Sequence, residues 1–170
     1  MSTRFNIFGK VMTFIKQKKI KIVKGENPTK QLIDDNYTEI SGSRGEILTS
    51  NVANKISYKF IYNIQIDNNT SNKWFLHVKL QKSNDNFSSN INDVQGANYN
   101  ISSNMVSVTD HRYCLSTAFF IIDGLDGTHQ LRLVCRAYSN SNKPQLHESD
   151  YFDGVADTNV FDTSLIVREV

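Results

Sequence analysis

Residues 56–66 carry a sustained period-two pattern. Ile56, Tyr58, Phe60, Tyr62, Ile64 and Ile66 alternate with Ser57, Lys59, Asn63 and Gln65. Successive side chains of an extended chain point to opposite sides, so this segment has one apolar face as a strand and none as a helix. It predicts a long, half-buried strand, and such a strand requires a second layer to cover it. Beyond a polar turn from Asp67 to Asn72, the pattern resumes. Trp74, Leu76, Val78 and Leu80 alternate with His77, Lys79 and Gln81, which predicts a second long strand and a hairpin partner for the first.

The remainder is punctuated in the same manner. The polar stretch from Ser83 to Asn100 predicts the longest loop, and Met105, Val106 and Val108 predict a short strand before Asp110-His111-Arg112. Residues 113–122 are almost continuously apolar, which predicts a strand covered on both faces, by its own core and by a neighbouring subunit or sheet. Asp123-Gly124-Leu125-Asp126-Gly127 is a strong turn signal. Leu131, Leu133, Cys135 and Ala137 then alternate with Gln130, Arg132 and Arg136, so a second hairpin is expected, with Leu115 and Phe119 facing inward alongside Leu133 and Cys135. A polar loop from Ser139 to Pro144 and a turn containing Gly154 lead to a last strand, Thr163 to Val170, which should hold Val170 in the sheet. Six to eight strands with little helix give an all-β chain, a single antiparallel β-sandwich of the jelly-roll kind.

Charge divides the chain in two. Residues 1–24 hold Arg4, Lys10, Lys16, Lys18, Lys19, Lys21 and Lys24 and no carboxylate. With 19 basic and 17 acidic residues in all, the remainder carries 12 against 17, a formal −5. Phe8, Val11, Met12 and Ile15 recur at helical spacing, and Lys19-Ile20-Lys21-Ile22 alternates like a strand. Gly25 to Pro28 separates this segment from the rest of the chain, so residues 1–27 read as a basic amphipathic N-terminal arm and 28–170 as the jelly-roll domain. A segment that only bound phosphates would have no use for apolar residues. Phe5, Phe8, Val11, Met12 and Ile15, rimmed by Lys10, Lys16, Lys18, Lys19 and Lys21, therefore point to docking on a protein or membrane surface, with a solvated leader or nucleic-acid contact as the other readings.

No residue pattern points to catalysis. Asp110, His111 and Cys114 are close in sequence, but neighbours on a strand face opposite ways, so spacing does not build a nucleophile–base pair. Cys114 and Cys135 fall on opposite faces of the expected hairpin, which favours free thiols with at least one in the core. His129 and His147 lack partners at metal-ligand spacing, and Asp123, Asp126, Asp150 and Asp153 do not form a calcium-loop ladder. No Gly-rich phosphate loop and no nucleophile elbow occurs. The expectation is a non-enzyme without cofactor or metal. Two cysteines and the absence of a long apolar stretch further predict folding in a reducing cytoplasm, with the Asn-x-Ser/Thr triplets at Asn36, Asn68, Asn69, Asn86 and Asn100 arising by chance.

Two stretches carry a family resemblance. Tyr37-Thr38-Glu39-Ile40-Ser41-Gly42-Ser43-Arg44 precedes the strand Lys55-Ile56-Ser57-Tyr58-Lys59-Phe60. Gln145-Leu146-His147 and Tyr151-Phe152-Asp153-Gly154 lead into Thr163-Ser164-Leu165-Ile166-Val167-Arg168-Glu169-Val170. Over residues 35–170 the chain resembles small single jelly-roll structural proteins of large DNA viruses and marine phages, related in fold to tumour-necrosis-factor/C1q-like domains. The resemblance implies a virion component that forms a symmetric homo-oligomer. It would be a five-fold vertex (penton) or minor capsid protein contacting other capsid proteins, or alternatively the trimeric receptor- or glycan-binding head of a viral fibre with its site on loops 83–100 or 139–154. Pentamers are favoured over trimers because the arm is not a coiled-coil or collagen-like stalk. The matched residues include none that is catalytic, and the arm lies outside the match.

Overall fold

The computed structural model describes residues 20–24, 31–49, 52–66, 74–103, 112–138, 144–147 and 163–170. Among these there are eleven strands and no helix: β1 (Ile20–Lys24), β2 (Gln31–Leu32), β3 (Thr38–Glu39), β4 (Gly45–Thr49), β5 (Ile56–Ile66), β6 (Trp74–Ser83), β7 (Asn92–Ser103), β8 (Arg112–Ile122), β9 (Gly127–Ala137), β10 (Gln145–Leu146) and β11 (Ser164–Glu169). All pairings are antiparallel.

The strands form two sheets. In the first, β5 is central: β8 lies along one edge for its full length, and β11 followed by β10 lines the other. β1 pairs with the outer edge of β11, and β2 with β10. In the second sheet, β9 carries β4 and β3 on one edge and β6 on the other, with β7 outermost. The period-two faces meet between the sheets, where Ile56, Tyr58, Phe60, Tyr62 and Ile64 lie opposite Leu76, Val78, Leu80, Leu131, Leu133 and Cys135 in one buried cluster. This is a jelly-roll sandwich, as the alternation predicts. The sheets approach closely at Gly45, where an added Cβ would lie 3.0 Å from side-chain carbons of both Leu165 and Val167.

Connectivity differs from the hairpins expected of neighbouring strands. β6 does not pair with β5, nor β9 with β8; each lies in the opposite sheet. Two long strands with strong apolar faces can cover those faces only by stacking across a core, and the jelly roll achieves this by crossing between sheets. The expected loop from Ser83 to Asn100 is also corrected, because β7 begins at Asn92. Its alternation is interrupted. Lys79 pairs with Asn98 but Gln81 with Asp93, so three extra residues bulge from β7 around Gly96, which has a φ of 74°. Val94 and the Ala97/Tyr99/Ile101 set therefore fall out of phase along the sequence. The expected short strand at residues 105–108 lies outside the described residues.

At the far end, β11 matches the predicted terminal strand, and the Val170 amide donates to the Lys55 carbonyl at 2.8 Å. β1 matches the predicted alternation at residues 19–22 and pairs with β11 residue for residue. The last part of the basic segment is thus the edge of the first sheet.

Candidate functional site

The outer face of β8 is the first surface that stands out. Leu115, Phe119 and Ile121 are 53%, 55% and 51% exposed, contrary to the expectation that Leu115 and Phe119 face the core. Pairing with β5 decides the orientation. The inward aromatics Phe60 and Tyr62 lie opposite Ala118 and Ser116, small residues that leave room for the rings, while Leu115 and Phe119 fall opposite Asn63 and Lys59 on the outer side. An apolar run cannot reveal its own inward face, but small residues alternating opposite large ones are a signal that the sequence does carry. The other edge of β8 has no strand alongside it among the described residues, so this apolar row borders an open sheet edge.

The second surface lies on the outer face of the other sheet. Phe75, His77, Asn100 and Arg136, with Tyr37 and Tyr138, line a depression of about 510 Å³. β6 and β9 place His77 directly opposite Arg136, and β7 places Asn100 beside His77. The Tyr138 amide donates to the Phe75 carbonyl at 3.0 Å, and their rings meet edge-on at 6.1 Å. The Tyr37 hydroxyl lies 2.5 Å from His77 Nδ1, with the two rings T-shaped at 5.7 Å. The Tyr37 contact uses Nδ1 and leaves Nε2 out of this bond. Lys79 Nζ lies 3.9 Å and Arg136 Cζ 5.1 Å from the Tyr37 ring centroid. Lys79 is paired with Asp93 at 2.8 Å, whereas Arg136 has no carboxylate partner among the described residues. The sequence pattern puts Phe75, His77 and Arg136 on strands but Asn100 in a loop, and it does not assemble the group, because its residues come from four separate segments. The alternation of Phe75, His77 and Lys79 is the only local trace.

Next to this depression a polar cluster fixes the loop after β6. Glu39 accepts from Arg44 (2.6 and 3.0 Å) and from Arg132 (2.9 Å), and both guanidinium groups lie over Phe87, at 5.1 and 4.1 Å. Asp85 accepts from the Ser89 and Asn90 amides at 3.0 and 2.9 Å and from the Ser83 and Ser89 hydroxyls, which holds its carboxyl well below the usual range. Asn86 and Phe87 both have left-handed backbones here. These contacts organise a turn, and they use up the carboxylate oxygens in doing so.

The other singled-out residues are dispersed. Cys135 is a free, buried thiol, pushed up to about 12 by burial, as expected of a core cysteine. Cys114 stands at the register position opposite Ile64. His129 Nε2 lies 2.8 Å from the Asp126 carbonyl, within a turn. His147 is buried, and neither ring nitrogen has a hydrogen-bond partner among the described residues. Among the described residues no three of His, Cys, Asp and Glu are grouped so as to hold a metal. Asp110, His111, Asp150, Asp153 and the arm residues Phe5, Phe8, Lys10, Val11, Met12, Ile15, Lys16, Lys18 and Lys19 lie outside the described residues. Lys21 lies on β1, opposite Val167.

No protein-family model matches the chain, and no curated protein does. Among solved structures it is similar to Eiger TNF from S. frugiperda. The identity is 12%, with 89% of this chain and 85% of that chain covered, and the TM-score is 0.34.

Proposed function

We propose that this chain is a non-catalytic subunit of a symmetric homo-oligomer, and that a second copy covers the outer face of β8. The carrying observation is the row of Leu115, Phe119 and Ile121 beside an open strand edge. Fully burying a side chain of this size from full exposure contributes roughly 1.5–3 kcal/mol, so covering these half-exposed ones contributes about half of that each, and a ring of subunits also removes the free edge. The place of the ring in a virus particle, as a vertex or minor capsid protein, rests on the resemblance over residues 35–170. Attachment of the ring to other capsid proteins, a membrane or nucleic acid falls to the basic arm.

Light scattering and native mass spectrometry of the purified chain test the assembly. A closed oligomer is expected, and Phe119→Asp or Leu115→Lys should convert it to a folded monomer. A wild-type chain that stays monomeric, or an oligomer indifferent to both substitutions, sinks the proposal. Five-fold symmetry supports the vertex reading, whereas three-fold symmetry moves the chain to the fibre-head class. Antibodies that fail to find the protein in particles would remove the virion placement while leaving the assembly intact.

A further inference from the structure

We infer that the depression lined by Tyr37, Phe75, His77, Asn100, Arg136 and Tyr138 binds an acidic saccharide, with the sugar's anionic group on Arg136 and its ring against the aromatic wall. The surface is separate from β8, so the inference does not depend on how the chain assembles.

Size, polarity and charge each narrow the occupant. A volume of about 510 Å³ lies within the roughly 300–1,000 Å³ of small-molecule sites. Tyr138 is 84% exposed, and together with Phe75 it presents a continuous aromatic wall to solvent. Aromatic surface without polar neighbours would suit a purely apolar ligand. Here three hydrogen-bonding side chains converge on the same depression: His77, whose Nε2 is not used by the Tyr37 bond, Asn100 with a donor and an acceptor, and Arg136. A ligand must therefore combine apolar C–H surface with several hydroxyls, as a pyranose does. The sign of the charge completes the argument. Among the described residues Arg136 is the cation here without a carboxylate partner, and none of those lining the depression is an Asp or Glu. Its planar fork matches a carboxylate or sulfate in two parallel bonds. The imidazole is held in place by Tyr37, so these groups are arranged before any ligand arrives.

Saturation-transfer NMR and calorimetry on the full chain provide the test, with glucuronic acid and N-acetylneuraminic acid as probes and glucose and acetate as controls. Binding of at least one acidic sugar is expected, with glucose and acetate each weaker by about ten-fold or more, since each lacks one half of the recognition. Arg136→Gln should weaken the acidic sugar by about ten-fold or more, the scale of a lost charge-assisted bond, and raised salt should do so progressively. Tyr138→Ala should weaken it by about five-fold or more, the scale of a lost aromatic contact. Both side chains are exposed, so thermal melting of the variants should match the wild type. Absence of transfer from either acidic sugar overturns the inference, as does acetate binding equal to the sugar's or an Arg136→Gln variant that binds unchanged. Loss of oligomers in Tyr138→Ala without saccharide binding by the wild type would reassign the surface to a protein contact, also overturning it.

Discussion

The Phe60 ring is fully buried and lies between Ala118 on one neighbouring strand and Leu165 on the other, nearly parallel to Tyr62 at 5.6 Å. Leu133 fills the facing layer. Phe60→Ala or Leu133→Ala should each cost on the order of 3 kcal/mol, read as a lowered denaturation midpoint at constant slope. His147 makes a different demand. Burial lowers its pKa to about 4 from an ordinary 6.5. The unfolded chain takes up that proton first as pH falls, so the folded state loses stability between pH 6.5 and about 4, up to an order of 3 kcal/mol, and is unaffected above 6.5. Urea titrations across that window should show a fall that His147→Phe abolishes. A stability independent of pH in the wild type would mean that the imidazole is solvated or paired. The His147 backbone has a φ of 63°, so His147→Asn, which tolerates that conformation, is a second variant free of the titration.

Strands expose the difference between patterns a sequence carries and those that only pairing creates. β5, β9 and β11 are legible because each alternates with a single apolar interruption on its outer side, at Ile61, Val134 and Ile166. β8 is legible as a strand but not in its facing, since both of its faces are apolar and the deciding partner, β5, lies some fifty positions earlier in the chain. β7 reads as a loop because its bulge shifts the alternation and its outer face is rich in Asn and Asp. The depression near Arg136 is invisible for the same reason, being assembled by register between β6, β7 and β9. β1 yields a prediction at this scale. Deleting residues 1–19 should leave the melting temperature nearly unchanged, whereas deleting 1–24 also strips β11 of its outer partner. The longer deletion should melt several degrees lower and aggregate more readily through the uncovered edge. Equal behaviour of the two truncations would show that β1 contributes nothing to the sheet.

At the scale of the molecule, two sheets share one core, and β8, the long edge strand of the first, has no strand on its outer side among the described residues. If copies of the chain cover the β8 face in the native state, stability depends on mass action. The thermal midpoint of the wild type should rise with protein concentration, and that of Phe119→Asp should not. A midpoint independent of concentration over a hundred-fold dilution series would count against coupling between assembly and folding, even if an oligomer is seen by mass.

The position of β11 has one more consequence, in the timing of synthesis. It lies between β1, which precedes it by well over a hundred residues, and β5, whose last residue is made 98 positions before Ser164. At about 5–20 residues per second the ribosome leaves β5 with an open flank for roughly 5–20 s, long beyond the microseconds a hairpin needs. The first sheet cannot close on the nascent chain before this last strand is made, whereas every strand of the second sheet has been synthesised by Ala137. The newborn protein thus passes through a stage in which the central strand of its first sheet offers a vacant edge, which makes it a natural client for chaperones that bind extended apolar segments.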